Sequence, residues 1–219
     1  MQYRIITDFD GTITLQDSNA RLVEVLGNEV NAQIELDFIA GVLGNREAFV
    51  QHFQHMKISM AEYTRFLDEH ITLDPEFDAF LCFCNEYSLP ITIVSAGFRQ
   101  GIQHILGEER LQGVEILAND LIGNNSLQPR FAMENPPCDR TNQPCGNCKR
   151  VVIREKKQVE EQMVYIGDGI SDFCAAQDAD VVYAKGSLAR YCEENGVEYI
   201  PFVRFGDVVR SLREMIETL

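Results

Sequence analysis

Residues 3–12 read YRIITDFDGT, an apolar and β-branched run that stops at two carboxylates, Asp8 and Asp10. Such a run predicts a buried β-strand that ends in an acidic loop. Two later runs end in a similar way, Ile91–Val94 in Ser95-Ala96-Gly97 and Met163–Ile166 in the stretch GDGISD at 167–172. In open α/β sheets, ligands bind outside the carboxyl ends of the strands. The three runs therefore predict one sheet with a polar site at that edge.

The rest of the chain alternates between helical and strand-like segments, apart from one long helical block. Between residues 14 and 79 apolar residues recur at helical spacing, and no strand-like run appears. Farther on, a hairpin is predicted from Asp120 to Phe131, turning at Gly123-Asn124-Asn125, and a helix is predicted over 151–161. The alternation predicts an α/β fold with a doubly wound, mostly parallel, Rossmann-like sheet and a small inserted helical cap. We predict that residues 1–13 and 80–219 form the core and residues 14–79 the cap.

Composition restricts the classes of function. With 219 residues, 45% of them hydrophobic and 24% charged, the chain can bury a core without disulfides or metals. Its net charge of −15 argues against a nucleic-acid partner, because affinity for nucleic acids rests largely on Lys and Arg. No apolar run reaches the ~18 residues of a membrane span, and the N-terminus does not resemble a secretory signal. We expect a cytoplasmic monomer or homodimer with no membrane partner.

Four carboxylates, those of Asp8, Asp10, Asp168 and Asp172, are predicted to meet at the edge of the sheet. Each one alone could be a turn former or a helix cap. Together they would repel one another, by about 4 kcal/mol for a pair about 4 Å apart near a protein surface. A hard divalent cation relieves this repulsion, and a set of oxygen ligands selects Mg²⁺. The sequence therefore predicts Mg²⁺ as the cofactor.

These residues resemble the four motifs of the haloacid dehalogenase superfamily, in the expected order. The motifs are DFDGT at 8–12, the strand that ends in Ser95, a Lys before a helix, and GDGISD. The helical block resembles the small cap that this superfamily carries after its first motif. Because phosphatases of the superfamily have a second Asp in the first motif, the resemblance implies a phosphatase that forms an aspartyl-phosphate.

The resemblance also implies a role for each motif residue. Asp8 would be the nucleophile, Asp10 the general acid and then the general base, and Lys149 the cation that neutralises the phosphate and Asp8. Mg²⁺ would be held by Asp8, the carbonyl of Asp10 and Asp168, with Asp172 acting directly or through water. Gly11 would let the backbone turn sharply, and Thr12 would orient Asp10 or its loop. The residues implied to bind phosphate are Ser95, Ala96 and Gly97.

Three cysteines, Cys138, Cys145 and Cys148, lie in one polar loop that runs directly into Lys149. Structural zinc usually has four ligands, and no His lies nearby in the sequence, so a fourth ligand would have to come from elsewhere in the fold. The sequence leaves three alternatives for this loop: a zinc site, free thiols at the rim of the active site, or a disulfide formed in air. The other cysteines, among them Cys174, are expected to be small buried hydrophobes.

The substrate is expected to be a small phosphorylated metabolite. The cap and the hairpin resemble those of phosphoserine phosphatases. The Cys-rich loop is more similar to that of the methionine-salvage phosphatases, which act on 2-hydroxy-3-keto-5-methylthiopentenyl-1-phosphate. A Cys beside the Lys is also found in phosphoethanolamine and phosphocholine phosphatases. A metal-binding or metal-sensing protein that uses the Cys loop is the alternative outside the enzymes.

Asp17 and the cationic residues of the cap are candidates for substrate contact. Phosphoserine phosphatases carry an acidic residue that faces the substrate amine at the position of Asp17, but an N-cap of the following helix is an equal alternative. Arg46, Lys57 and Arg65 could each contact a carboxylate, and the sequence does not choose among them. The four histidines, at 52, 55, 70 and 104, are expected to be surface or packing residues away from the motifs.

Overall fold

A computed structural model describes residues 2–131 and 133–218 of the chain. These residues form seven strands: β1 Gln2–Thr7, β2 Ile91–Phe98, β3 Val114–Ile122, β4 Gln128–Arg130, β5 Glu161–Gly167, β6 Val181–Ala184 and β7 Ile200–Pro201. The strands make one sheet in the order β4-β3-β2-β1-β5-β6-β7. Neighbouring strands run parallel except β4, which pairs antiparallel with β3 as the predicted hairpin. The predicted mostly parallel α/β sheet is confirmed.

Helices cover both faces of the sheet. The described residues form α1 Ser18–Leu26, α2 Glu29–Ile39, α3 Asn45–Met56, α4 Met60–His70, α5 Phe77–Glu86, α6 Arg99–Arg110, α7 Lys149–Lys156, α8 Phe173–Ala176, α9 Gly186–Asn195 and α10 Phe205–Glu217. Side chains of α5, α6 and α10 pack on one face of the sheet, and those of α7, α8 and α9 pack on the other. No helix among the described residues is both long enough and apolar enough to cross a membrane.

The central strand β1 positions the site. Its consecutive residues Ile5 and Ile6 are fully buried in the cores on opposite faces of the sheet, because side chains alternate along a strand. Thr7 pairs with Ile93 of β2 on one side and with Ile166 of β5 on the other. The residues that follow these positions on β1, β2 and β5 therefore meet at one edge of the sheet.

Helices α1–α4 lie between β1 and α5 in the chain. The chain leaves and returns through neighbouring segments, since Thr14 forms an antiparallel bridge with Leu73 and the amide of Leu15 donates to the carbonyl of Thr72 at 2.8 Å. The point where the chain leaves the sheet lies close to the predicted boundary between residues 13 and 14. The division into core and cap stays a prediction, and Phe77 already packs in the core beneath the sheet, ahead of the predicted return at residue 80.

Two predicted element ends differ from the structure. Strand β2 does not stop at Val94 but continues to Phe98, with a register shift against β3 between these two residues. The helix predicted over 151–161 ends at Lys156, and β5 begins at Glu161. The Glu161 carboxylate pairs with Arg4 of β1 at 2.7 Å, so contacts across the sheet set the start of this strand.

Candidate active site

The first acidic motif turns sharply after β1. Asp8 and Asp10 are both buried at the edge of the sheet. Gly11 has a φ of +77°, and a Cβ atom at this position would lie 2.5 Å from an oxygen of Asp168. Any larger residue would therefore be strained in its backbone and would also collide with Asp168, just after β5. The turn brings the first and the fourth motif into contact.

Lys149 is the first residue of α7 and lies inside the carboxylate cluster. Its side chain is 1% exposed, and its Nζ lies 2.7 Å from Oδ1 of Asp8. The same ammonium contacts the carboxylate of Asp172 and donates to the hydroxyl of Ser171 at 2.8 Å. Burial alone would lower the pKa of Lys149, but the charges of Asp172 and Asp8 outweigh it and raise the pKa. Lys149 is therefore a fixed cation beside Asp8.

Asp172 organises the fourth motif, GDGISD. One of its oxygens accepts a hydrogen bond of 2.6 Å from the Tyr165 hydroxyl, and the other accepts from the amides of Asp168 and Gly169, both at 2.9 Å. With the contact to Lys149, both oxygens of this fully buried carboxylate are engaged by protein groups. In this structure Asp172 holds the GDGISD loop and the lysine in place.

Asp10 lies in a separate network from the Lys149 cluster. Its carboxylate accepts a hydrogen bond of 3.0 Å from the Ser95 hydroxyl and another from Ser18. Burial raises the pKa of Asp10, while the hydrogen bonds from Ser18 and Ser95 act in the opposite direction. A raised pKa favours a carboxyl group that holds a proton, as a general acid must. Ser95, predicted to bind phosphate, contacts Asp10 and accepts from the amide of Gly97 at 2.8 Å.

Three carboxylates can hold a metal ion together. Oxygen atoms of Asp8, Asp168 and Asp172 all lie within 4.8 Å of one another. Burial, and then the charge of Asp172, raise the pKa of Asp168 to about 7, as expected for carboxylates brought together without a cation between them. Thr12 donates to Asp168 at 2.7 Å, so it orients this ligand rather than Asp10. The all-oxygen donor set fits Mg²⁺.

A cavity of about 250 Å³ opens between these carboxylates and helices α2 and α3. Asp8, Asp10 and Asp168 lie on the sheet side of it, and Ala96 and Gly97 also line it. The residues that line it from helices α2 and α3 are Glu35, Phe38, Ile39, Asn45, Ala48, Phe49 and His52. Its described lining contains neither Arg nor Lys.

The cap residues singled out in the sequence take different places. Asp17 caps α1, accepting from the amides of Asn19 and Ala20 at 2.9 and 3.0 Å, and it also lines the cavity. Both alternatives for Asp17 are thus geometrically compatible. The guanidinium of Arg46 stacks 4.6 Å above the ring of Phe131, and neither Lys57 nor Arg65 lines the cavity. The arrangement brings none of the three cationic candidates to the site.

His52 was not predicted to lie near the site, and for this residue the prediction was wrong. It is buried in α3 and lines the cavity. Asn31 donates to its Nδ1 at 3.2 Å, and its Nε2 lies 3.3 Å from a carboxylate oxygen of Glu35. A polar residue three positions after Phe49, on the buried face of a helix, was the available signal in the sequence.

The Cys-rich loop lies next to the carboxylate cluster. Cys138, Cys145 and Cys148 line a second cavity together with Lys149. Cys174 of α8 lines the same cavity, and its thiol contacts that of Cys138. The expectation that Cys174 is only a small buried hydrophobe was therefore wrong, because the fold brings α8 against the loop. All seven cysteines are free thiols.

The sheet, the two Asp residues after β1 and the buried lysine define a class of protein. Residues 5–177 match the model of the haloacid dehalogenase-like hydrolase family, and the chain belongs to this family. The resemblance recognised in the sequence is confirmed, and so is the prediction of a hydrolase.

Two curated relatives and one solved structure are similar over nearly the whole chain. The 2-hydroxy-3-keto-5-methylthiopentenyl-1-phosphate phosphatase of Exiguobacterium sibiricum is 32% identical, covering 97% of each chain. The polyol phosphate phosphatase PYP1 of Saccharomyces cerevisiae is 30% identical, covering 97% of this chain and 93% of the relative. A phosphoserine phosphatase, solved as a phospho-aspartyl intermediate analogue, has a TM-score of 0.67 at 18% identity, covering 100% of this chain and 99% of that one. This last likeness shows the fold.

Proposed function

We propose that the chain is a Mg²⁺-dependent phosphomonoesterase in which Asp8 forms an aspartyl-phosphate. The observation that carries this proposal is the 2.7 Å contact between Lys149 and Asp8, beside a set of carboxylates that can hold a metal. Burial and the charge of Asp172 raise the pKa of Asp8, and the ammonium of Lys149 acts in the opposite direction. The same buried cation holds Asp8 in place and offsets the charge of an incoming phosphate. The match to the hydrolase family and the phosphatases among the relatives support the same reaction.

In the first step an oxygen of Asp8 attacks phosphorus. The bond between phosphorus and the ester oxygen breaks, and the leaving alkoxide takes the proton from Asp10. Ser95 and Ser18 hold the carboxyl group of Asp10 in place through hydrogen bonds. The products are the free alcohol and an aspartyl-phosphate on Asp8.

In the second step Asp10, now ionised, accepts a proton from water. The resulting hydroxide attacks phosphorus, the bond between phosphorus and Asp8 breaks, and inorganic phosphate leaves. Atoms and charges balance, since the proton that Asp10 gave to the alcohol returns to it from water. Lys149 remains charged throughout and stabilises the carboxylate that leaves.

Mg²⁺ would be held by Asp8 and Asp168, by the carbonyl of Asp10, and by Asp172 directly or through water. When bound, Mg²⁺ shields the phosphate charge from the nucleophile and stabilises charge that develops in the transition state. Thr12 orients Asp168, and the amides of Asp168 and Gly169 hold Asp172. The chain itself thus prepares the ligands.

For the substrate we propose a small monophosphate without a carboxylate, with the methionine-salvage enol-phosphate as the leading candidate. Among the described residues, the lining of the cavity includes no Arg or Lys to pair with a carboxylate such as that of phosphoserine. Phe38, Ile39 and Phe49 supply an apolar wall suited to a methylthio group. The acidic residues Asp17 and Glu35 favour a second candidate, the phosphate ester of an amine-bearing alcohol such as ethanolamine or choline.

For the location we propose the cytoplasm, where free thiols such as these seven persist.

A panel of phosphomonoesters tests this proposal. It contains the methionine-salvage enol-phosphate, phosphoethanolamine, phosphocholine, a polyol phosphate and phosphoserine, each assayed with Mg²⁺ and with EDTA. We expect Mg²⁺-dependent release of phosphate, with kcat/KM for phosphoserine at least about tenfold below that of the best ester, because its carboxylate would enter an acidic cavity unpaired. Turnover that persists in EDTA would contradict the metal requirement. If phosphoserine were the best ester, the account of the cavity would be wrong.

A further inference from the structure

Four cysteines from two parts of the chain form one cluster. All four line one cavity, and in it Cys138 neighbours Cys145 and Cys174, while Cys145 also neighbours Cys148. Three of the four come from the loop before α7, and Cys174 comes from α8 on the neighbouring motif. The antiparallel bridge between Pro137 and Pro144 brings the two halves of the loop together. The cluster is half-buried and contains no disulfide.

Backbone amides face two of the sulfur atoms. Amides two and three residues after Cys138, those of Arg140 and Thr141, face its sulfur, and the amides of Arg150 and Val151 face the sulfur of Cys148 in the same way. Hydrogen bonds from neighbouring thiols, and then these amides, lower the pKa of Cys138 and Cys148, whereas neighbouring thiols and burial raise the pKa of Cys145 and Cys174. The first turn of α7 adds the positive end of its dipole at Cys148. Thiolates are the form in which Cys binds metals.

We propose that Cys138, Cys145, Cys148 and Cys174 bind one structural Zn²⁺ ion. Zinc takes four thiolates in a tetrahedron, and Cys174 supplies the fourth ligand that the loop lacks. Binding releases the remaining thiol protons to solvent and involves no redox step. This proposal stands independently of the proposed phosphatase function, because none of the four cysteines belongs to the carboxylate cluster.

Arginine side chains suit the cluster to a negatively charged zinc–thiolate centre. Arg140, Arg150 and Arg154 line the same cavity as the four cysteines. Arg150 also donates to the backbone carbonyl of Cys174 at 3.2 Å, which joins α7 to α8 beside the cluster. A centre of four thiolates and Zn²⁺ has a net charge of about −2. Arg150 and Arg154 also pair with Asp139 and Asp178, so the guanidinium groups offset this charge only in part.

Zinc binding would tighten the loop. The four sulfurs form a chain of neighbours, and no three of them lie within 4.8 Å of one another. In a zinc tetrahedron all sulfurs are about 3.8 Å apart, given a Zn–S distance of about 2.3 Å. The ion would therefore draw the outermost of the four sulfur atoms together, and the ligand set would be completed when zinc binds.

The loop connects the catalytic lysine with the cap, so the proposed ion would order both. Gln143 accepts from the amide of Gly44 at 2.7 Å, and Arg140 donates to the carbonyl of Phe38 at 3.0 Å. At the other end of the loop, Cys148 directly precedes Lys149. A zinc ion would join these contacts to α8, which follows the GDGISD motif.

The test measures zinc in the full-length protein. Four proteins are purified under reducing conditions and given equimolar Zn²⁺: wild type, Cys174→Ser, Cys145→Ser and the control Cys82→Ser. The control changes an exposed thiol outside the cluster. Zinc is counted by elemental analysis after gel filtration, and affinity is measured by competition with a chromophoric chelator. Asp8→Asn serves as a further control, since zinc at the carboxylate site would be lost in that variant instead.

We expect about one zinc ion per chain in wild type, Cys82→Ser and Asp8→Asn, with at least about a tenfold loss of affinity in Cys174→Ser and Cys145→Ser. If these two variants fail to fold, the wild type with Co²⁺ provides the answer, because a thiolate tetrahedron gives intense charge-transfer absorption. Wild type without zinc, or Cys174→Ser with wild-type affinity, would overturn the proposal.

Discussion

Replacing Asp8 with Asn is expected to lower phosphate release by at least about a thousandfold, the range seen when a covalent nucleophile is removed. The carboxamide keeps the shape of the side chain but is a poor nucleophile and carries no charge to pair with Lys149. The loss should appear in kcat for every ester of the panel. The measurement is steady-state phosphate release in saturating Mg²⁺.

Asp68→Asn is a suitable control for this variant. Asp68 is exposed on α4 and contacts His104 rather than the carboxylate cluster. It is expected to keep kcat within about twofold of wild type, because surface substitutions away from the site have small effects. Circular dichroism should show that both variants are folded. An Asp8→Asn enzyme with wild-type turnover would exclude Asp8 as the nucleophile.

Replacing Lys149 with Met is expected to destabilise the protein by about 3–5 kcal/mol at pH 7, as is typical when one partner of a buried ion pair is removed. The ammonium is 1% exposed and contacts two carboxylates, Asp8 and Asp172, which are themselves buried. Without it, their mutual repulsion is uncompensated. Urea unfolding in EDTA measures this effect, and phosphate release in Mg²⁺ should also fall by at least about a hundredfold.

Lys157→Met is the matched control, because Lys157 pairs with Asp180 at the surface, with 43% of its side chain exposed. Exposed pairs contribute about 0–1 kcal/mol, so this variant should unfold close to wild type. If Lys149→Met lost less than about 1 kcal/mol, the buried cation would not be what holds the carboxylates together.

The core and its catalytic edge were predictable because local sequence patterns specify them. Strand β1 is buried on both faces, so its residues form a short apolar run that ends abruptly at Asp8. The parallel arrangement then requires that Ser95 and Asp168, at or near the ends of the flanking strands, approach Asp8. These are consequences of strand order and register, and both follow from alternating strands and helices.

The features that were missed depend on contacts between distant segments. The end of α7 was misplaced because the polar residues after Lys157 suit a helix as well as a loop. The ion pair between Arg4 and Glu161, across two strands, marks where β5 begins. Cys174 meets Cys138 only after α8 packs beside the loop, and His52 approaches the cavity only through the fold of the cap. The spacing of residues in the sequence does not predict such contacts between distant segments.

The site itself also differs in one respect from what the motifs suggested. Ser95 and Asp10 form a hydrogen-bonded pair in this structure, so the predicted phosphate ligand also orients the predicted general acid. Ser18, at the start of α1, adds a second hydrogen bond that ties this acid to the cap side of the cavity. The hydrogen bond between Ser18 and Asp10 could not be predicted from the sequence, because a serine at the start of a helix is usually part of a cap.

The most direct test of the central claim is to identify the residue that carries the phosphoryl group. The enzyme is mixed with its best ester, quenched in acid and treated with borohydride, which reduces an aspartyl-phosphate to homoserine. The same experiment can be done with an Asp10→Asn variant, in which hydrolysis of the intermediate should be slow. Peptide mass spectrometry then locates the reduced residue. The account predicts homoserine at position 8 and at no other aspartate. Turnover with no reduced residue, or reduction at a different aspartate, would contradict it.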